Sequence, residues 1–227
     1  MGWRQFKAMV RKDVVSELRT RETVVSMFLF VVLAMIVFHY AFTVSGGGRL
    51  SFYTGGMLWV VFVFGALLGL NRSFAHEKDD GCLDGLLLCP VDRMTIYLAK
   101  MTANLIFLGA IQVVAVPVFT LFFASGRIAT HLPAFLALVV LADLGIAALG
   151  TLLATITMNT RSRDLLLPIV FLPLVIPLLI AAASGTSALL SGAAGAPSVL
   201  GRLAFLLVYD GVFLVLAYGT YDVAIGE

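Results

Sequence analysis

Asn71–Lys100 reads NRSFAHEKDDGCLDGLLLCPVDRMTIYLAK, a long charged interruption in a chain otherwise built of apolar runs. It decides the fold because it divides those runs. Upstream lie Val24–Phe42 and Tyr53–Leu70; downstream lie Met101–Ala124, Leu132–Met158, Leu165–Ala183 and Val199–Tyr221. Each meets the roughly 17–25 residues that a helix needs to cross a ~30 Å hydrocarbon core, the fourth with overhang. Lipid offers backbone groups no hydrogen-bond partner, so helices are the expected spanning form. Strands of about ten alternating residues, the mark of a membrane barrel, are not the pattern here. The expectation is an all-α integral membrane protein with six transmembrane helices.

Composition agrees. Of 227 residues, 61% are hydrophobic and 12% charged, with mean hydropathy +1.05. Soluble domains carry about 25% charged residues. A soluble fold this apolar would lack the polar surface to stay dissolved. Residues 1–227 read as a single transmembrane domain, with 1–23 an interfacial helix and 71–100 a cytoplasmic loop. Cys82 and Cys89, the only cysteines, fall in that loop and suggest no disulfide scaffold. No removable signal peptide of the usual form is expected, and no nucleic-acid partner.

Charge orients the spans. Twelve Lys and Arg lie on the side of the N-terminus, residues 71–100 and residues 159–164; only Arg49, Arg127 and Arg202 lie opposite. The positive-inside rule places both termini in the cytoplasm, the C-terminal one by parity alone. Trp3, Phe6, Val10, Val14 and Leu18 follow helical steps, with Arg4, Lys7, Arg11, Lys12 and Arg19 on the other faces. Such a helix rests on the inner leaflet through apolar burial and attraction to anionic headgroups. It serves either as an anchor or as an elbow that passes motion to the first span.

Within the loop, Asp79 or Asp80 can cap a short helix whose apolar positions are Leu83, Leu86, Leu87 and Cys82. Pro90 stops it, and Asp92 can cap the helix that enters the third span. Thirty residues is long for a passive connection. The acidic residues Asp80 and Asp84, with the leucines, suit the groove of a soluble partner.

These residues carry a resemblance. Arg72-x-Phe74, Asp80-Gly81-x-Leu83-Asp84-x-Leu86-Leu87, Pro90 and Leu98-Ala99-Lys100 resemble the cytoplasmic coupling loop of ABC-type permeases. Together with Phe171–Ile180, FLPLVIPLLI, they resemble most of all the CcmB family, haem exporter protein B of cytochrome c maturation. Asn71 departs from the Glu that many relatives place before the arginine, so no Glu–Arg pairing is implied there. The resemblance implies an ABC-type exporter permease, homodimeric, bound to two copies of the ATPase CcmA. It also implies association with CcmC and CcmD in support of haem loading and release by the haem chaperone CcmE. Haem would then be substrate, and ATP would be bound by the partner subunit, in a bacterial inner membrane. The alternative is a non-transporting scaffold that positions the ATPase and haem-handling partners.

The chain has no G-x-x-x-x-G-K-[ST] loop, so by that mechanism it is no ATPase, and no catalytic residue or metal site is expected. His39 and His131, at the outer ends of the first and fourth spans, are the haem-contact candidates. His76 belongs to the loop. Asp143 and Asp210 fall inside the fourth and sixth spans, where a carboxylate costs roughly 2.5–3.5 kcal/mol and should face the bundle interior. Ala142, Gly145 and Ala148 would let another helix approach Asp143 closely. Pro168, Pro173 and Pro177 punctuate the fifth span and favour a kink. These three prolines and two aspartates are the transport-path candidates. Ser184–Ser198, uncharged and rich in Gly and Ala, reads as an outer loop or a re-entrant segment.

Overall fold

The computed structural model describes residues 2–44, 50–79, 92–124, 131–157, 160, 163–191 and 196–226. These form seven α-helices: α1 (Gly2–Thr20), α2 (Glu22–Val44), α3 (Leu50–Asp79), α4 (Arg93–Phe119), α5 (Leu132–Thr157), α6 (Arg163–Ser191) and α7 (Ala196–Gly226). A π-helical turn, Thr120–Ala124, extends α4. Among the described residues, five helices are long and apolar enough to cross a membrane, and the second apolar run, Thr54–Leu70, is a shorter apolar segment within α3.

The centre of the bundle is α5. It packs against α3, α4, α6 and α7. Ile146, Ala147, Ala148 and Leu149 are all wholly buried, so this stretch is covered on every side of the helix. The outward faces of the other helices are apolar as well. Val113, Leu121, Val215 and Tyr218 stand largely exposed, alongside Leu33, Val37, Ile169 and Ile180. Exposed apolar surface on that scale marks a protein whose solvent is lipid.

Between helices in lipid, hydrophobic burial gives little drive; close packing and hydrogen bonds do the joining. Trp59 on α3 donates its indole N–H to Thr186 Oγ1 on α6 at 2.9 Å. On the same interface a Cβ at Gly55 would lie 2.6 Å from the Ala183 carbonyl, so only glycine lets the two backbones meet this closely. Near the start of α7, Arg202 donates from Nε to Ser184 Oγ of α6 at 2.9 Å.

The ends differ from the sequence reading in three places. The charged segment does not begin as a loop: α3 continues helical to Asp79. Residues 71–79 hold neither Gly nor Pro, while Arg72, Glu77 and Lys78 are good helix formers. The fifth span does not stop at Ala183; α6 runs to Ser191, because Ser, Thr and Ala can continue a helix whose hydroxyls bond back to the preceding turn. Thr186 and Ser184 do so, to the carbonyls of Ala182 and Ala181. Asp92 does stand at the N-cap of α4, yet its side chain makes no capping bond; its carbonyl accepts from Thr95 and Ile96 instead.

Candidate functional site

Two sets of buried polar groups flank α5, one on each of two sides of it. The first side faces α4. Tyr97 and Asn104 lie seven residues apart on α4 and Gln112 eight further on, a spacing that keeps all three on one face. Gln112 donates from Nε2 to Asp143 Oδ1 at 2.6 Å. Asn104 donates from Nδ2 to Thr151 Oγ1 at 2.9 Å, and the Tyr97 hydroxyl donates to the Ala148 carbonyl at 3.0 Å. Three interhelical bonds thus lace residues 97–112 of α4 to residues 143–151 of α5.

The second side faces α6 and α7. Gly145 lies two residues from Asp143, some 200° around the helix. A Cβ at Gly145 would sit 2.5 Å from Asp210 Oδ1 and 2.5 Å from Leu178 Cδ1. The small residue therefore makes the notch into which Asp210 of α7 fits, on the side of α5 away from Asp143. Asp210 is only 2% exposed, and among the described residues neither of its oxygens has a hydrogen-bond partner. Beside it, the Tyr209 hydroxyl donates to the Leu174 carbonyl of α6 at 2.9 Å, pinning α7 to α6. The two membrane aspartates are thus turned to different sides of α5 and form no carboxylate pair.

The prolines sit otherwise. α6 is one continuous helix through Pro168, Pro173 and Pro177. Its buried stripe is Leu167, Phe171, Val175, Leu178 and Ala182. Pro168 is half-buried, whereas Pro173 and Pro177 are exposed on the outer face of the chain. Pro173 and Pro177 deprive the carbonyls of Ile169 and Pro173, four residues earlier, of their α-helical donors.

His39 is half-buried near the end of α2, its ring stacked on Phe122 at 4.8 Å and meeting Phe123 edge-on at 5.6 Å. Both phenylalanines belong to the π-helical turn, a geometry that re-aims side chains at a helix end. His131 opens α5, its carbonyl accepting from the Phe135 N–H at 3.1 Å. The two histidines belong to different elements.

Of the loop residues, Arg72 and Phe74 fall on the last turns of α3. Asp80, Gly81, Leu83, Asp84, Leu86, Leu87 and Pro90 lie outside the described residues. What flanks the loop is described. Asp13 of α1 meets Lys100 of α4 at 3.4 Å, both nearly buried. Lys12 lies 3.0 Å from the other oxygen of Asp13. The N-terminal helix is therefore fastened to the helix that leaves the loop, and it turns into α2 at Arg21, whose φ of 55° breaks the helical run.

Sequence reasoning passed over Gln112, Asn104, Tyr97 and the Asp13–Lys100 pair. The signal was available for the first three: polar residues recurring at seven- and eight-residue steps within an apolar span must face a partner.

Comparison with known proteins covers nearly the whole chain. The family described as "CcmB protein" matches residues 4–225. Heme exporter protein B of Paracoccus denitrificans (strain Pd 1222) is 34% identical over 176 residues, 75% of this chain and 76% of that protein. Heme exporter protein B of Pseudomonas aeruginosa (strain PAO1) is 32% identical over 161 residues, 71% of this chain and 70% of that protein. The protein of that name from Bradyrhizobium diazoefficiens (strain USDA 110) is 28% identical over 216 residues, 92% of this chain and 95% of its own length.

Proposed function

The chain belongs to the CcmB family, and from that premise we propose that it is the membrane permease subunit of an ABC-type complex. The complex exports or delivers haem for the maturation of c-type cytochromes. The observation that carries this reading is the family match over residues 4–225, spread across every helix of the bundle.

In this reading six spans cross the bacterial inner membrane, both termini are cytoplasmic, and two copies of the chain pair. ATP is bound and hydrolysed by a separate subunit, CcmA, which docks on the Asp80–Pro90 segment. CcmC, CcmD and the chaperone CcmE complete the assembly. The chain itself performs no catalysis. Haem is its substrate, with His39 and His131 as contacts and Asp143, Pro168, Pro173, Pro177 and Asp210 bordering the path. The geometry around the loop supports coupling. Motion received by the loop reaches α4 directly, and through the Asp13–Lys100 pair it reaches α1, whose corner at Arg21 leads into α2.

Asp84→Lys and Leu86→Asp test the coupling. Each should leave the permease folded yet detach the ATPase or abolish its activation, with cytochrome c maturation lost. Unchanged co-purification and ATPase rate in both variants would refute docking at this segment. Cysteine labelling tests the topology: positions 47 and 195 should react from outside and position 78 only from inside. Outside labelling of the C-terminal tail would defeat the six-span arrangement.

A second reading draws on one observation. Pro173 and Pro177 are exposed on the outer face of a helix that continues through them. That favours a scaffold, in which ATP hydrolysis releases the loaded chaperone and no haem passes through this subunit. Wild-type maturation in the Pro173→Ala/Pro177→Ala double variant would strengthen the scaffold; lost maturation with the ATPase still bound would favour the path.

A further inference from the structure

Asp210 is a carboxyl group enclosed by its own chain. It lies near the middle of the apolar segment Val199–Thr220, is 2% exposed, and has neither oxygen bonded by any described residue. The groups around it supply no charge to balance an anion. On α7, Tyr209 turns its hydroxyl away to the Leu174 carbonyl. The nearest cation on that helix, Arg202, lies eight residues away, about 12 Å along the axis, and bonds Ser184. α6 offers Leu178 and has no charged residue from Leu165 to Ser191. α5 offers Gly145, while its own aspartate, Asp143, is turned to Gln112 of α4. The charged residues of α4, Arg93 and Lys100, stand in its first eight residues. A bridging water needs two to four polar partners, and walls of Leu178, Gly145 and the Tyr209 ring provide few. An anion left alone in such surroundings is strongly destabilising.

We propose that Asp210 is a proton-binding site within the membrane: the carboxyl is neutral while α5 and α7 are closed, and it exchanges its proton only when Gly145 and Asp210 separate. The ligand is the proton itself, held on one carboxyl oxygen and released to water that reaches the opened contact. No other bond forms or breaks. The proposal stands on the packing of one chain and its test reads protonation, so its failure leaves the haem-export reading where it was.

The experiment uses the full-length chain in lipid nanodiscs. Infrared difference spectra between the wild type and Asp210→Asn at neutral pH should assign a carboxylic-acid carbonyl stretch to Asp210. An ordinary aspartate, with a reference pKa of about 3.9, would be ionised there. Loss of carboxylate bands without an acid band would overturn the proposal. A membrane-soluble carbodiimide, which reacts with protonated carboxyls, gives an answer without any variant. A wild-type adduct mapped to Asp210, falling about tenfold per pH unit once the group ionises, supports the site. Gly145→Ala separates exchange from occupancy: by wedging the contact open it should speed hydrogen–deuterium exchange of the acid band. An unchanged exchange rate would contradict the role given to that contact.

Discussion

The two sides of α5 hold their polar groups in opposite ways. Toward α4, Asp143, Thr151 and the Ala148 carbonyl each receive a donor from the neighbouring helix. Toward α7, Asp210 receives none among the described residues. A satisfied seam costs energy to part, because every bond lost leaves a bare polar group in an apolar medium. The contact at Asp210 loses packing but no hydrogen bond of that carboxyl on opening, and the carboxyl gains if water can enter. The comparison teaches that α4 and α5 should move as one body, whereas α5 and α7 form the contact that gives.

The comparison can be broken first at the seam. Gln112→Leu removes the donor and leaves Asp143 buried without it. Stability should fall by about 2–3 kcal/mol, read as a shift in equilibrium unfolding in mixed detergent micelles. A shift below a few tenths would show that the seam contributes nothing. Asp143→Asn keeps an acceptor for Gln112 and removes the titratable carboxyl, so it should be nearly silent for folding. A loss of cytochrome c maturation at full expression would give that carboxyl a part in transport.

On the giving side, Gly145→Ala forces a methyl against Asp210 and Leu178. Overpacking of that kind costs about 1–3 kcal/mol. Shortening the obstacle in Gly145→Ala/Asp210→Ala should recover part of the loss, since one of the two blocking atoms is gone. Additive losses would place the strain elsewhere. The smallest effect belongs to Asp210→Asn. With no partner to lose, its unfolding midpoint should move by about 1 kcal/mol or less. A loss as large as that of Gln112→Leu would mean that the native carboxyl is held by bonds not seen here.

Much of this architecture was legible in the chain. The apolar runs announce spanning helices because the bilayer fixes their length, and small residues around Asp143 announce a close approach. The helix ends were not legible. Hydropathy reports where lipid stops, not where hydrogen bonding stops, so α3 passes Leu70 as far as Asp79 and α6 passes Ala183 as far as Ser191. Pro173 and Pro177 are exposed on a helix that continues through them, its buried stripe running from Leu167 to Ala182. Nor could spacing alone reveal that Asp143 and Asp210 serve different helix contacts. That depends on which residue of α7 meets Gly145, a matter of register between helices far apart in sequence.

Whether haem crosses this subunit is the central claim, and one measurement addresses it most directly. The complex of permease, ATPase and partners, purified and placed in liposomes, is supplied with haem on the ATPase side. ATP-driven appearance of haem on the opposite side, abolished by Asp84→Lys, is the predicted result. Haem-stimulated ATP hydrolysis and chaperone release with no haem crossing would contradict it and leave the chain a scaffold.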